Sequence, residues 1–265
     1  MPITPDQLPE RFRSVITDQE VLFDKGRVIE VRKAIPNTPD IPIEDQRKWL
    51  KIPHVTCVFT DILGSTKVAA HRDDKDTAGM YQLFTGTAVR LFDRFDAPYI
   101  EVQGDAVFAL FNEAQPYRAV AAAITIKTFA QEVFGPRMKK DFDADVACHI
   151  GIDRHDVLVR KIGLKRVDER TDRQNEVWAG EPVNMASKLA SLTKAEELLA
   201  SDRFIKTVPN RHVKESCSCS GSVNLWEETD LSNDERFTFK KAYRLRSKWC
   251  GTHGREYCEK ILTLD

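Results

Sequence analysis

The stretch His-Val-Thr-Cys-Val-Phe-Thr-Asp-Ile-Leu-Gly-Ser-Thr at positions 54–66 decides how the rest of the chain is read. Its apolar, β-branched run predicts a buried strand that carries the carboxylate of Asp61 to its end. Gly64 breaks the strand, and Ser65 and Thr66 predict a tight turn into a helix. Glycine lets backbone approach an anion, and the N–H groups at a helix start point towards it, so the segment suits a cation beside a phosphate. Taken alone, it favours the plainer reading of a strand end and a helix cap. A second carboxylate, presented in the same way, would tip the balance.

Working outward, residues 1–50 are polar and punctuated by Pro2, Pro5, Pro9, Pro36, Pro39 and Pro42. The spacing of Phe12, Val15, Ile16, Val21 and Leu22 predicts a helix from about Pro9 to Val31, and the proline-rich 36–42 stretch predicts an extended linker. Downstream, Lys67 to Phe95 reads as one helix, Tyr99–Gln103 and Ala106–Phe111 as a hairpin turning at Gly104-Asp105, and Pro116 to Val133 as an Ala-rich helix. Asp145–Asp153 and Val157–Gly163 read as two paired strands. A charged loop, 165–174, leads to Val177 and Trp178, then to a helix over Pro182–Leu192. Phe237 to Leu245 alternates as an edge strand. This order predicts an α/β (α+β) domain, helices over a largely antiparallel sheet. The expected division is an N-terminal helical extension and linker over 1–50, a catalytic domain over 51–210, and a C-terminal addition over 211–265.

The 265 residues are 42% hydrophobic and 31% charged, with a formal net charge of -1. Mixed charge without a basic excess argues against a sequence-independent nucleic-acid binder, while small anionic ligands fit. The N-terminus lacks a basic-then-apolar signal and no apolar run is long enough to span a bilayer, so a cytoplasmic protein without membrane attachment is expected.

Asp105, at the Gly-Asp hairpin turn, supplies the second carboxylate. If that hairpin neighbours the first strand, two hard oxygen ligands meet beside a glycine turn, as a pair of Mg²⁺ or Mn²⁺ ions on a nucleoside triphosphate requires. At this point the residues resemble a known family, the class III nucleotidyl cyclases. The 59–66 segment is similar to the family's first metal-binding motif, and Gln-Gly-Asp-Ala-Val-Phe-Ala at 103–109 to its second. Gly-Glu-Pro-Val-Asn-Met-Ala-Ser-Lys at 180–188 is similar to its third, and His-Ile-Gly-Ile-Asp at 149–153 to a further core strand. The resemblance runs from about His54 to Thr193 and implies a ferredoxin-like cyclase fold. It implies that Asp61, Asp105 and the Ile62 carbonyl hold two divalent cations, and that Phe59, Gly64, Ser65 and Thr66 shape the phosphate turn. It also implies that Asn184 and Lys188 reach the substrate from a second protomer, giving a homodimer with two composite active sites. An i, i+4 pair on one helical face is consistent with that geometry.

The chain departs from the family where the base is read. Lys188 stands where Arg is usual, a point charge in place of a planar fork. Adenine-selective members pair a Lys with an Asp, and guanine-selective members a Glu with a small residue such as Cys; this chain has Glu101 at the first position, and Val177 falls near the second, with Trp178 beside it. A carboxylate only accepts hydrogen bonds, so it disfavours the adenine ring-nitrogen acceptor and favours an N–H edge such as that of guanine or uracil. A Trp in the pocket would narrow it towards a pyrimidine. These features resemble the bacterial pyrimidine cyclases of the Pycsar anti-phage system, whose cyclic UMP or cyclic CMP activates a separate effector protein. The favoured substrate is UTP, because uracil N3–H is a donor and cytosine N3 an acceptor. Plainer readings stand beside these: Glu101 as a solvent-facing strand residue, Trp178 as a core aromatic, and the whole chain as a purine cyclase or a degenerate nucleotide-binding dimerisation module.

Of the six cysteines, Cys57 and Cys148 sit in strand-like apolar runs and read as small buried hydrophobes. Cys217, Cys219, Cys250 and Cys258, with His253, offer five soft or borderline ligands to a structural Zn²⁺. The Cys-x-Cys spacing is tight and the two clusters are far apart in sequence, so reduced, partly buried thiols are the alternative.

Overall fold

The computed structural model describes residues 4–163, 174–219, 221 and 224–265. The chain forms two compact units. One contains the described residues up to Ile52 and those within Leu158–Ala179; the other contains Pro53–Val157 and Gly180–Asp265. Most of the anticipated 165–174 loop lies outside the described residues.

In the first unit, helix α1 (Glu10–Asp24) stops short of the anticipated Val31. Gly26 takes a left-handed φ of 70°, which ends the helix, and β-branched Val28 and Ile29 open strand β1 (Val28–Val31) instead. Strand β1 runs parallel to the start of β2 (Lys48–Leu63), with Val28 beside Lys48 and Val31 beside Lys51. The 36–42 stretch is extended except for one 3₁₀ turn at Thr38–Asp40, where Pro39 supplies the required φ.

The chain continues through α2 (Ser65–Ala69), α3 (Asp74–Arg94), β3 (Tyr99–Gln103), β4 (Ala106–Phe111), α4 (Pro116–Phe129), α5 (Gly135–Phe142) and β5 (Ala147–Gly163). Then follow β6 (Gln174–Gly180), α6 (Glu181–Ser191), β7 (Leu198–Ser201), α7 (Asp202–Ile205), α8 (Arg211–Lys214), β8 (Trp226–Asp230), β9 (Lys241–Leu245) and α9 (Gly254–Leu262). The strand order is β3-β4-β2-β5-β7-β9-β8, with β1 beside β2 and β6 beside β5. The β2–β4, β3–β4, β7–β9 and β8–β9 pairs are antiparallel, and β5–β7 is parallel.

Four local expectations change. The helix expected over 67–95 is two helices, because the Asp73 carboxylate accepts the Asp76 N–H at 2.8 Å and caps a new start. The helix expected over 116–133 ends at Phe129, and a single π-helical turn at Ala130–Phe134 leads into α5. The two strands expected at 145–163 are the single strand β5: Arg154, His155 and Asp156 include neither Gly nor Pro to break it, and Arg154 is accommodated in mid-strand by its bond to the Glu113 carbonyl. Strand β9 lies inside the sheet between β7 and β8, so β8 is the edge.

Alternation along the strands sorts the second unit's residues. Val58, Val107, Ala109 and Phe111 join a core with Phe84 and Phe92 of α3 and the alanines of α4. Ala119, Ala121, Ala122 and Ala123 are fully buried, so α4 lies close against its neighbours. The C-terminal segment completes this layer: the Asp265 carboxylate accepts the N–H groups of Tyr117 at 2.9 Å and Arg118 at 2.6 Å, satisfying the first turn of α4. Trp249 Nε1 donates to Thr125 Oγ1 of the same helix at 2.9 Å.

Helix α6 approaches β5 at Gly151 so closely that a Cβ there would lie 1.9 Å from the Ala186 carbonyl oxygen and 2.6 Å from the Ala190 nitrogen. Two residues along β5, Asp153 is fully buried and receives Arg203 Nε at 2.8 Å, while Arg203 Nη1 bonds Glu181 of α6 at 2.5 Å. Gly151→Ala is therefore expected to destabilise the protein by about 3 kcal/mol, since rigid backbone must move. Gly79→Ala, in the exposed face of α3 with nothing near its Cβ, is expected to stabilise it by about 0.5–1 kcal/mol. Urea unfolding of the two variants checks both signs.

Candidate active site

The pleat of β2, β3 and β4 fixes which side chains share a face. Glu101 of β3 and Phe59 of β2 both lie opposite Phe108 of β4, so the three form a row across the sheet. Asp61 is two residues beyond Phe59 and therefore on the same face, one step nearer the Gly104-Asp105 turn. Thr60, between them, is fully buried on the other side.

Asp61 and Asp105 meet at this end of the sheet. Burial, and then the negative charge of Asp105, push the Asp61 carboxyl up to about 6, and the two carboxyls are within hydrogen-bonding reach. Opposing this, the Ile62 N–H donates to Asp61 Oδ1 at 2.8 Å. Two half-buried carboxylates held together repel one another once ionised, and a hard divalent cation is the partner their oxygens select. The donor set thus fits such ions. Tyr81 of α3 joins the group: its hydroxyl bonds Ser65, and burial together with both carboxylates raises its pKa. From helical spacing Tyr81 reads only as part of the apolar face of its helix; its place at the site depends on how α3 lies over the turn.

Gly64 adopts φ 96°, and a Cβ there would press on the Asp145 carbonyl oxygen at 3.3 Å. Only glycine takes that conformation without strain. It leads into α2, where Ser65 is buried and Thr66 exposed. The first N–H groups of any helix lack intrahelical acceptors, which leaves this turn able to bind oxygen anions.

Glu101 is half-buried and its carboxylate is held from both sides along β3, by Tyr99 Oη at 2.8 Å and Gln103 Nε2 at 2.8 Å. These partners occupy one lone pair on each oxygen and leave others free to accept. From the sequence Tyr99 and Gln103 read only as the ends of a strand, with Gln103 opening the Gly-Asp motif, although the strand's period of two places both beside Glu101.

Asn184 and Lys188 lie one turn apart on α6. Asn184 is exposed, while Lys188 Nζ donates to the Arg236 carbonyl at 2.9 Å within its own chain. The adjacent face of α6, through Met185 and Leu189, packs on Leu199, Leu231, Phe237 and Ala242. Val177 and Trp178 belong to the first compact unit, where Val177 is half-buried and Trp178 is 7% exposed, as a core aromatic would be.

His149 Nδ1 lies 2.9 Å from Thr193 Oγ1, a structural contact. Cys57 and Cys148 are buried, and burial raises both thiol pKa values, Cys148 to about 12. Among the described residues, Cys217, Cys219, Cys250 and His253 gather their ligand atoms in one place, whereas Cys258 lies apart, half-buried on α9 and packed against the core. The fifth ligand offered by the sequence is thus not part of the cluster. No described helix is long and apolar enough to cross a membrane.

With this geometry in view, comparison with known proteins gives a consistent answer. The family described as the adenylate and guanylate cyclase catalytic domain matches residues 49–229. A uridylate cyclase of Micromonospora echinofusca is 33% identical over 247 residues, covering 91% of this chain and 77% of that protein. A uridylate cyclase of Propioniciclava tarda is 36% identical over 231 residues, covering 84% and 73%. In three dimensions, the adenylyl cyclase CyaB from P. aeruginosa superposes with a TM-score of 0.58 at 17% identity, covering 76% of this chain and 96% of that one. At that identity the likeness speaks for the fold alone. The carboxylate pair, the glycine turn and the α6 motif sit where a matching sequence family and a matching fold overlap, and the chain belongs to the adenylate and guanylate cyclase catalytic domain family, the class III nucleotidyl cyclases.

Proposed function

We propose that the chain is a uridylate cyclase, converting UTP to 3′,5′-cyclic UMP and pyrophosphate in a homodimer with two composite active sites. The convergence of Asp61 and Asp105 beside the Gly64 turn carries this reading. Asp61, Asp105 and the Ile62 carbonyl would hold two divalent cations, Mn²⁺ or Mg²⁺. Once bound, such ions acidify the ribose 3′-hydroxyl and offset the triphosphate charge. The backbone around Phe59, Gly64, Ser65 and Thr66 cradles the phosphates. In the reaction the 3′-oxygen bonds to the α-phosphorus, the bond from that phosphorus to the β-phosphate oxygen breaks, and pyrophosphate departs.

Asn184 of a second copy orients the ribose, and Lys188 of that copy stabilises charge on the α-phosphate. For this, Lys188 exchanges its bond to the Arg236 carbonyl for a phosphate oxygen. Glu101, oriented by Tyr99 and Gln103, accepts the uracil N3–H; cytosine and adenine present a ring-nitrogen acceptor there and meet repulsion. The uridylate cyclase relatives support the same base. Following the resemblance to the Pycsar enzymes, the cyclic nucleotide signals phage infection to a separate effector protein.

Purified protein given an equal mixture of the four NTPs with Mn²⁺ is expected to yield mainly cyclic UMP; a purine product as the main species overturns the pyrimidine assignment. Asp61→Ala and Lys188→Ala are each expected to lose about 100-fold or more of the activity. Mixed and re-equilibrated, the two dead variants should recover up to about a quarter of wild-type activity, because half the dimers carry one intact site. No recovery from two folded variants overturns the composite site, and a wild type as inert as Asp61→Ala would point to a non-catalytic module.

The carboxylate pair also sets a pH dependence. Asp61 holds its proton more tightly in the fold than in the unfolded chain, so the metal-free fold loses stability as pH rises through about 6. A bound cation removes that penalty, and protons compete with it below. The thermal shift produced by Mn²⁺ should therefore be larger at pH 7.5 than at pH 5.5, and absent in Asp61→Asn, as differential scanning fluorimetry can measure.

A further inference from the structure

Two short turns, distant in sequence, meet at the C-terminal end of the second unit. In the first, Ser218 adopts a left-handed φ of 66°, a strained choice for a residue with a side chain, which curls the chain between Cys217 and Cys219. In the second, the Gly254 N–H donates to the Cys250 carbonyl at 2.7 Å, closing the Cys250-x-x-His253 turn at the start of α9. The backbone N–H groups of Thr252 and His253 are directed at the Cys250 sulfur, which suits a thiolate. Cys219 Sγ lies 3.1 Å from His253 Nδ1.

The ligand atoms of Cys217, Cys219, Cys250 and His253 all lie within 4.8 Å of one another. Tetrahedral Zn²⁺ with Zn–S bonds of about 2.3 Å sets its sulfurs about 3.8 Å apart, so no pair exceeds the required separation by more than about 1 Å. Disulfide formation would use two of the three sulfurs and strand the third beside them, whereas four-coordinate zinc uses all three and the imidazole. None of the six cysteines is paired in a disulfide.

We propose that Cys217, Cys219, Cys250 and His253 form a closed structural Zn²⁺ site, distinct from the catalytic cations. The site ties the segment before β8 to the segment after β9. Between its two halves lies the β8–β9 hairpin, whose connecting loop buries Leu231 and Phe237 against α6 and supplies the Arg236 carbonyl to Lys188. Beyond it runs α9, which ends with Asp265 capping α4. Zinc therefore holds two elements that support the helix bearing Asn184 and Lys188 and the helix behind the sheet. Four protein ligands leave no open position for substrate or water, so the role is structural.

Protein purified under reducing conditions and dialysed against excess Mg²⁺ is expected to retain about one zinc per chain by plasma mass spectrometry. Cys250→Ser and His253→Gln should lower the content at least about 5-fold, while Cys258→Ser and Asp61→Ala leave it unchanged. Replacement by Co²⁺ in the wild-type chain should give thiolate-to-metal and tetrahedral ligand-field absorption, which tests the site even where variants fail to fold. Absence of zinc together with no such Co²⁺ spectrum, zinc undiminished in folded Cys250→Ser, or a disulfide among the three cysteines in freshly reduced and anaerobically handled protein would each overturn the assignment. The Asp61→Ala control separates this result from any failure of the catalytic reading.

Discussion

The close seat of α6 on β5 is the constraint from which much of the second unit follows. At Gly151 there is no room for even one methyl group between strand and helix. That approach fixes the height and direction of α6, and the buried Asp153 with Arg203 and Glu181 fixes its start. Removing a buried carboxylate from its guanidinium partner is costly, so the lock also guards against alternative packings. Helix α6 can then bury Met185 and Leu189 while presenting Asn184 outward. The proposed role of Asn184 and Lys188 towards a second copy would call for such a rigid platform, because misplacement by an ångström costs much of a transition-state contact.

The carboxylate pair poses the opposite problem. Asp61 and Asp105 are brought together against their mutual repulsion, and the fold tolerates this because surrounding groups oppose it only partly. The Ile62 N–H favours the ionised form of Asp61, while burial and Asp105 disfavour it. A site arranged this way is unsatisfied as a purely structural feature and becomes favourable in the presence of cations. Tyr81 and Ser65 form the wall through which α3 and the glycine turn share the site. The proposed zinc site, by contrast, would be satisfied by one ion with nothing left over, as expected of a fastening rather than a reaction centre.

Much of this was legible before any coordinates. The 54–66 strand and turn, the Gly104-Asp105 hairpin and the helix after Gly180 each have short-range signals: β-branched runs, glycine at a turn, proline near a helix start. Element boundaries fared less well where signals conflict. Phe12 to Val31 has a helical spacing, yet Gly26 and the β-branched pair behind it convert the last residues to a strand. Likewise, the apolar runs either side of Arg154 gave no hint that they form one strand, since polar residues in mid-strand are accepted when the neighbouring elements satisfy them. Here the Arg154 guanidinium bonds the Glu113 carbonyl at 3.1 Å.

The amino-acid order by itself determined which residues are chemically capable: two carboxylates, a glycine turn, an Asn and a Lys one helical turn apart, and a set of soft ligands. These depend on residue type and on spacings of a few positions, which local geometry fixes. The tertiary structure decided which of them meet. It placed Asp61 beside Asp105, enlisted Tyr81, Tyr99 and Gln103, and selected Cys217, Cys219, Cys250 and His253 while leaving Cys258 on the core. Those choices depend on sheet register, on the left-handed turn at Ser218 and on where α9 docks, long-range outcomes of packing that no local pattern encodes.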